Sequence, residues 1–268
     1  MKKNISKEYK KYLNKKKLNK TIILAIQLGI LIICIALWEI LAIKGLIDTF
    51  ILSSPSRIIS SIAELYTSGS LFYHMFTTLT EAIIGFLIAT IGGYVFAIIL
   101  WWNDYIRRIL DPYIVVLNSL PKIALGPIII IWVGVGTSAI VTMDILIMIV
   151  ISIITMLNAF RQVEDSKIML LKSMGANKFQ ILIKLILPSA LSEFISLLKI
   201  NVGLTWVGTI MGEYLVSKAG LGYLIIYGSQ IFNLDLVMTG TILLCILATL
   251  MYFLVAILEK VVNKRLNK

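Results

Sequence analysis

Charge is what this sequence has least of. Only 15% of its 268 residues are Asp, Glu, Lys or Arg, against 59% that are hydrophobic. A soluble domain carries about 25% charged residues, so an ordinary water-facing surface is excluded. Cysteine is nearly absent: Cys34 and Cys245 stand alone in separate apolar runs, which leaves no disulfide framework and casts both as packing residues. The one histidine, His74, lies near the edge of an apolar run and reads as a wetted side chain, so no metal site is expected. G-x-x-x-x-G-K-[ST], H-E-x-x-H and G-x-S-x-G are all missing. Without the first the chain has no phosphate-cradling loop for ATP, and without the others it lacks two common hydrolase arrangements. The chain is expected to be no enzyme and to bind no cofactor itself.

Long apolar runs are what is present. About 20 apolar residues cross a bilayer as a helix, and the first run, Thr21 to Ile43, carries only Glu39 as a charge. It is too long for a signal-peptide core and no A-x-A-like site follows it. Further spans are expected over Tyr73 to Trp102, Pro112 to Val133, Ala139 to Leu157, Ala190 to Tyr214 and Leu234 to Leu258. The third is interrupted by Pro121, Gly126 and Pro127, and such breaks must face protein or a water-filled cavity. Between the first two, residues 52–70 are too polar to span and read as an interfacial helix capped by Ser56. The fold class is therefore all-α, a polytopic membrane protein of six transmembrane helices.

The net charge of +11 sits at the ends rather than on a face suited to nucleic acid. Residues 1–20 hold nine lysines and one glutamate, and Lys260, Lys264, Arg265 and Lys268 close the chain. Lys and Arg gather on the cytoplasmic side of short flanks, so both termini are expected inside. Residues 1–20 and 261–268 then form basic tails on one transmembrane domain, residues 21–260.

Residues 161–188 interrupt the apolar pattern with a basic, turn-like stretch, "KSMGANKFQ" at its centre. Val163 to Met174 reads as an amphipathic helix with Ile168, Leu171 and Met174 on one side. Gly175 suits a left-handed helix terminus, and Asn177 with Gln180 suits a capping box opening the next helix. That second helix is expected to end at Pro188. The stretch is either a solvated linker or a basic-apolar knob, with Phe179 exposed, that docks into another protein.

Polar residues inside spans are functional candidates by default. Asp144 is either a pathway or interface carboxylate or a packing acid, and Glu81 divides the same way. Asn201, Thr205, Gly208, Thr209 and Gly212 share one helical face. Gly208 and Gly212 make a G-x-x-x-G that favours close packing, while Asn201, Thr205, Trp206 and Thr209, together with Asn118 from the broken span, are candidates for lining a translocation route. Lys122 is read as a cytoplasmic-side anchor. Glu213 and Lys218 are read as an outer pair near the turn at Gly220 and Gly222. A proton- or ion-coupled carrier, or an intramembrane enzyme using Asp144 and Glu81, are the rival readings.

"MLLKSMGANKFQILIKLILP", residues 169–188, resembles the EAA loop of ABC-transporter permeases: Gly175 falls on its glycine, and Leu185, Leu187 and Pro188 on its closing residues. Met169, Leu170 and Leu171 stand where the E-A-A start would be, a departure from the pattern. "LWEILA" (37–42), "SSPSRII" (53–59), "LGPIIIIWVGVG" (125–136) and "GEYLVSKAGLGYLI" (212–225) resemble, in order, segments of the nitrate/sulfonate/taurine-type importer permeases. The resemblance implies the type I importer permease fold in the cell membrane, a single transmembrane domain and a homodimer. It further implies two ATPase subunits holding ATP and Mg, and an extracytoplasmic substrate-binding protein. Lys172, Gly175, Ala176, Asn177, Lys178, Phe179 and Pro188 would form the ATPase-coupling loop, and the solute would be a sulfonate, nitrate, taurine or a planar vitamin precursor.

Overall fold

The computed structural model describes residues 7–266, and among them every regular element is helical. The first helix, α1 (Lys7–Ile43), runs without a break through the lysine-rich stretch into the first span. The helix is continuous across residue 20, because lysine is a good helix former and nothing between Lys7 and Thr21 interrupts the backbone ladder, while the apolar span within it begins at Thr21. Residues 1–6 and 267–268, parts of the two expected tails, lie outside the described residues.

Short α2 (Thr49–Leu52) and α3 (Pro55–Thr67) follow. The cap of α3 is Ser54, which accepts from Arg57 N, rather than Ser56; the Ser56 N–H is taken by Glu39 Oε2 at 3.0 Å. Glu39 therefore ties α1 to α3. The long α4 (Ser70–Trp102) covers the second expected span.

The third span departs most from expectation. Its helix, α5 (Asp104–Ser119), begins eight residues before Pro112, capped by Asn103, whose side chain accepts from Tyr105 N and Ile106 N. A 3₁₀ turn (Lys122–Leu125) and α6 (Gly126–Val133) come next, and the path bends by 88° at the break. Pro121 enforces that break, since it removes a donor and restricts Leu120 to extended backbone. Among the described residues, five helices are individually long and apolar enough to cross a membrane, or six if this bent pair is one span.

Then come α7 (Thr137–Arg161), the loop helices α8 (Asp165–Ser173) and α9 (Lys178–Ile181), a π-helical turn (Leu182–Ile186) and α10 (Leu187–Ser189). Pro188 does not end the helical path. In an α-ladder its missing N–H would orphan the carbonyl four residues back; here the ladder is already widened, with Leu187 N donating to Leu182 O. The chain continues into α11 (Leu191–Val216), α12 (Leu221–Gln230) and α13 (Leu234–Leu266).

The core lies where α4, α7 and α11 pack together, with α12 and α13 against α11. The two ends of this bundle differ. One carries the 161–188 loop and the end of α4 at Trp102; the other carries the start of α4, the start of α7 and α12. Apolar residues of α1 such as Ile23, Ile32 and Leu37 stay exposed on the chain's surface, as do Cys34 and Cys245. Both cysteines are therefore surface residues of the bundle rather than packing residues.

Candidate functional site

The loop comes first, because its conformation follows from local chemistry. At the end of α8, Gly175 N donates to Lys172 O and Ala176 N to Leu171 O, both at 2.9 Å. That pair of bonds is a Schellman motif, which needs a left-handed residue, and Gly175 has φ +82°. Two residues on, Asn177 Oδ1 accepts from Gln180 N at 2.8 Å while Gln180 Oε1 accepts from Asn177 N at 2.9 Å. The expected capping box is present.

Packing decides which side chains the loop displays. Ile168, Leu171 and Ala176 pack against the core cluster that holds Ile181, Leu182, Ile186 and Phe160. Met174 does not join them, contrary to its expected place on that stripe: it is 74% exposed, because the helix ends there and turns it outward. Met169, Leu170 and Phe179 are also exposed, at 70%, 60% and 58%. Lys172 and Lys178 flank them, and Pro188 is exposed at the base of the loop. The hydrogen bond from Lys167, at 3.1 Å, holds the Glu164 carboxyl below its usual pKa. The loop is thus a rigid turn with an apolar tip and basic flanks.

Inside the bundle, α4, α7 and α11 are joined by buried polar layers. Nearest the loop, Asn201 Nδ2 donates to Thr90 Oγ1 and to Ser152 Oγ, each at 2.9 Å, and Thr205 Oγ1 donates to Asn201 O at 2.8 Å. One turn further, Thr209 Oγ1 donates to Asp144 Oδ2 at 2.8 Å. Gly85 and Gly208 flank that carboxylate so closely that a Cβ on either would collide with it. Gly212 lies against Ile140, where a Cβ would meet Ile140 Cα at 3.0 Å.

At the far end, Thr137 Oγ1 donates to Glu81 Oε1 at 2.7 Å and Thr78 Oγ1 donates to Glu213 Oε1 at 2.6 Å. Gly222 N donates to the other Glu213 oxygen at 2.5 Å, and Gly220 N to His74 Nδ1 at 3.0 Å. Glu213 is therefore not an outer surface group. It is fully buried, because glycines at 220 and 222 let the α12 backbone close over its carboxylate. His74, likewise, is not simply wetted: its ring stacks with Tyr223 at 6.1 Å.

These placements bear on the expected pathway residues. Asn201, Thr205, Thr209 and Asp144 have no exposed surface, and Trp206 is 6% exposed within an apolar cluster. Small residues bring the helices together here, and Asn201, Thr205, Thr209 and Asp144 each make at least one hydrogen bond, while Asp144 Oδ1, Asn201 Oδ1 and Trp206 Nε1 are buried without a partner. Asn118 lies apart from them, exposed on α5. Lys122 is not at the loop end; its Nζ donates to Ile147 O at 3.4 Å, midway along α7. Beside Glu81, a cavity of about 470 Å³ opens between Phe72, Tyr73, Phe76 and Thr137. Sequence reasoning did not reach the Glu213 niche. The glycine pair bracketing Leu221 was its only local signal.

Residues 89–268 match the family described as the binding-protein-dependent transport system inner membrane component. The chain belongs to that family. It is 26% identical over 235 residues to a putative aliphatic sulfonates transport permease of Bacillus subtilis, covering 88% of this chain and 85% of that protein. It is 30% identical over 188 residues to the formylaminopyrimidine transport permease of Halalkalibacterium halodurans, covering 70% and 74%. Among solved structures, a chain of a bacterial ABC transporter that imports the acidic polysaccharide alginate superposes with a TM-score of 0.63 at 14% identity, covering 91% of this chain and 97% of that one, which bears on the fold. The permease is thus a membrane-embedded, multi-pass subunit of an ABC importer, working with a substrate-binding protein. The resemblance to the sulfonate-type branch is borne out.

Proposed function

We propose that two copies of this permease form an alternating-access pathway driven by two separate ATPase subunits, with the 161–188 loop as the coupling element. The observation that carries this reading is the exposed apolar tip of Met169, Leu170, Met174 and Phe179 on a turn fixed at both sides by caps. An apolar patch on a rigid basic turn favours a protein partner over solvent. The loop end would be cytoplasmic, in keeping with its own lysines and with the lysine-rich start and basic close of the sequence. Both termini would then be inside, and the binding protein would meet the opposite end.

In this mechanism ATP closes the partner dimer and favours the outward-open state, and hydrolysis returns the inward-open one. ATP and Mg would reside on the ATPase, and the permease itself would do no bond chemistry. The solute would be a small sulfonate, nitrate, taurine or a planar vitamin precursor; the sulfonate, taurine and formylaminopyrimidine relatives support the first, third and last of these. The test is to purify the permease with candidate ATPase subunits and measure ATP-driven uptake. Co-elution is expected, with uptake lost in Gly175→Trp combined with Phe179→Ala; uptake that survives both changes overturns the reading.

A further inference from the structure

The end of α4 is held by a side chain from the loop that follows α7. Trp102 is the last residue of α4, and carbonyls in a helix's last turn lack donors from within the helix. Lys178 supplies one: its Nζ donates to Trp102 O at 2.5 Å. The same ammonium lies 5.7 Å from the Trp101 ring centroid and 5.4 Å from that of Trp102. A cation there meets both the negative end of the helix dipole and two aromatic rings.

Lys178 is also the first residue of α9, so the Asn177–Gln180 capping box fixes its backbone. The other links from this second half of the loop to α4 are apolar: Ile181, Leu182 and Ile186 share a cluster with Ala97 and Leu100. Apolar burial is non-directional and leaves the register between two surfaces soft. A charge-assisted hydrogen bond to one carbonyl is directional and sets it.

We propose that Lys178 is the positioning residue that latches the coupling loop to the end of α4, so that loop displacement moves α4 instead of being absorbed in the loop. This rests on the coupling reading above and deepens it. The 33 residues of α4 carry Thr90, Gly85, Glu81 and Thr78 into the polar layers shared with α7 and α11. Motion delivered at Trp102 therefore reaches the far end through one continuous helix.

The test uses the whole transporter, permease with its ATPase subunits and binding protein, in liposomes. Lys178→Met keeps the alkyl stem and removes the donor and charge; Lys178→Arg restores both. In the Met variant the solute taken up per ATP hydrolysed falls about tenfold, whatever the amount of ATPase retained, the loss of one charge-assisted hydrogen bond. The Arg variant recovers most of that ratio. If uptake per ATP is unchanged in Lys178→Met, or if uptake and hydrolysis fall in step, the latch is wrong while the coupling loop stands. If the parent permease retains no ATPase subunit, the coupling reading fails and takes the latch with it.

Discussion

Asp144 and Gly208 face each other so closely that the α11 glycine has no room for a side chain. A Cβ on Gly208 would lie 3.1 Å from Asp144 Cα and closer still to its carboxylate, and one on Gly85 would lie 2.5 Å from Asp144 Cβ. The acid thus sits in a slot made by glycines from two helices, with Thr209 as its donor. Alanine at 208 must push α7 away, at a cost of about 1–3 kcal/mol for an overfilled core. Gly203, one helical turn or so away, has nothing within 4 Å of its Cβ position. Gly203→Ala should hold or gain up to about 1 kcal/mol from helix propensity. Thermal unfolding of detergent-purified variants, followed by size exclusion, checks the contrast; equal losses at both positions would show that the slot is not what matters.

Glu213 gives a second contrast. It accepts from the Thr78 hydroxyl and from Gly222 N, and so joins α11 to α4 and α12. Glu213→Gln keeps one carbonyl acceptor and should cost about 1–2 kcal/mol. Glu213→Ala leaves Gly222 N unpaired beside a void and the Thr78 hydroxyl with only His74 O as acceptor, and should cost about 2–5 kcal/mol. The same unfolding assay separates the two, and an Ala variant as stable as the Gln variant would sink the account.

What could be read from the sequence divides along chain distance. The elbow was legible because its signals are local: Gly175 ends a helix and Asn177 pairs with a residue three places on. The spans were legible because apolar length is a local property, and Gly208 with Gly212 announced close packing. The partner of that packing was not legible. Thr78 meets Glu213 across 135 residues, and Asn201 meets Thr90 across 111, so no window of sequence holds both. The helix α12 was missed because its glycines at 220 and 222 read as a turn, whereas only Gly220, with φ +108°, serves as one. Pro188 read as a stop because proline cannot continue an α-ladder, and the π-turn before it removes that conflict.

The loop's own stability should respond to its caps and leave the bundle alone. Gly175 has φ +82° and nothing within 4 Å of its Cβ position, so Gly175→Ala isolates backbone strain from crowding. That strain is worth about 1 kcal/mol, and Asn177→Ala removes a cap worth about the same. Hydrogen exchange at Ala176 and Gln180, whose amides donate into these motifs, should speed up several-fold in each variant. The unfolding temperature of the whole chain should barely move. A matching drop in global stability would mean that the loop is part of the core and not a separately capped turn.

At the far end, Asp235 matters more than the ion pair it belongs to. Its Oδ2 pairs with Arg57 at 2.7 Å, but its Oδ1 accepts from Ser53 Oγ at 2.6 Å, and Ser53 is fully buried with φ +55°. Arg57 is half exposed, so Arg57→Ala loses a screened surface pair worth about 0.2–1 kcal/mol. Asp235→Ala leaves a buried hydroxyl without its acceptor, a loss of about 1–3 kcal/mol, and frees a left-handed serine to relax. Asp235→Asn keeps an acceptor for Ser53 and should fall between them. Unfolding midpoints in the order Arg57→Ala, Asp235→Asn, Asp235→Ala are expected, from most to least stable. A reversal of the first and last would mean that the ion pair, rather than the serine beneath it, fixes α2 and α3 to the start of α13.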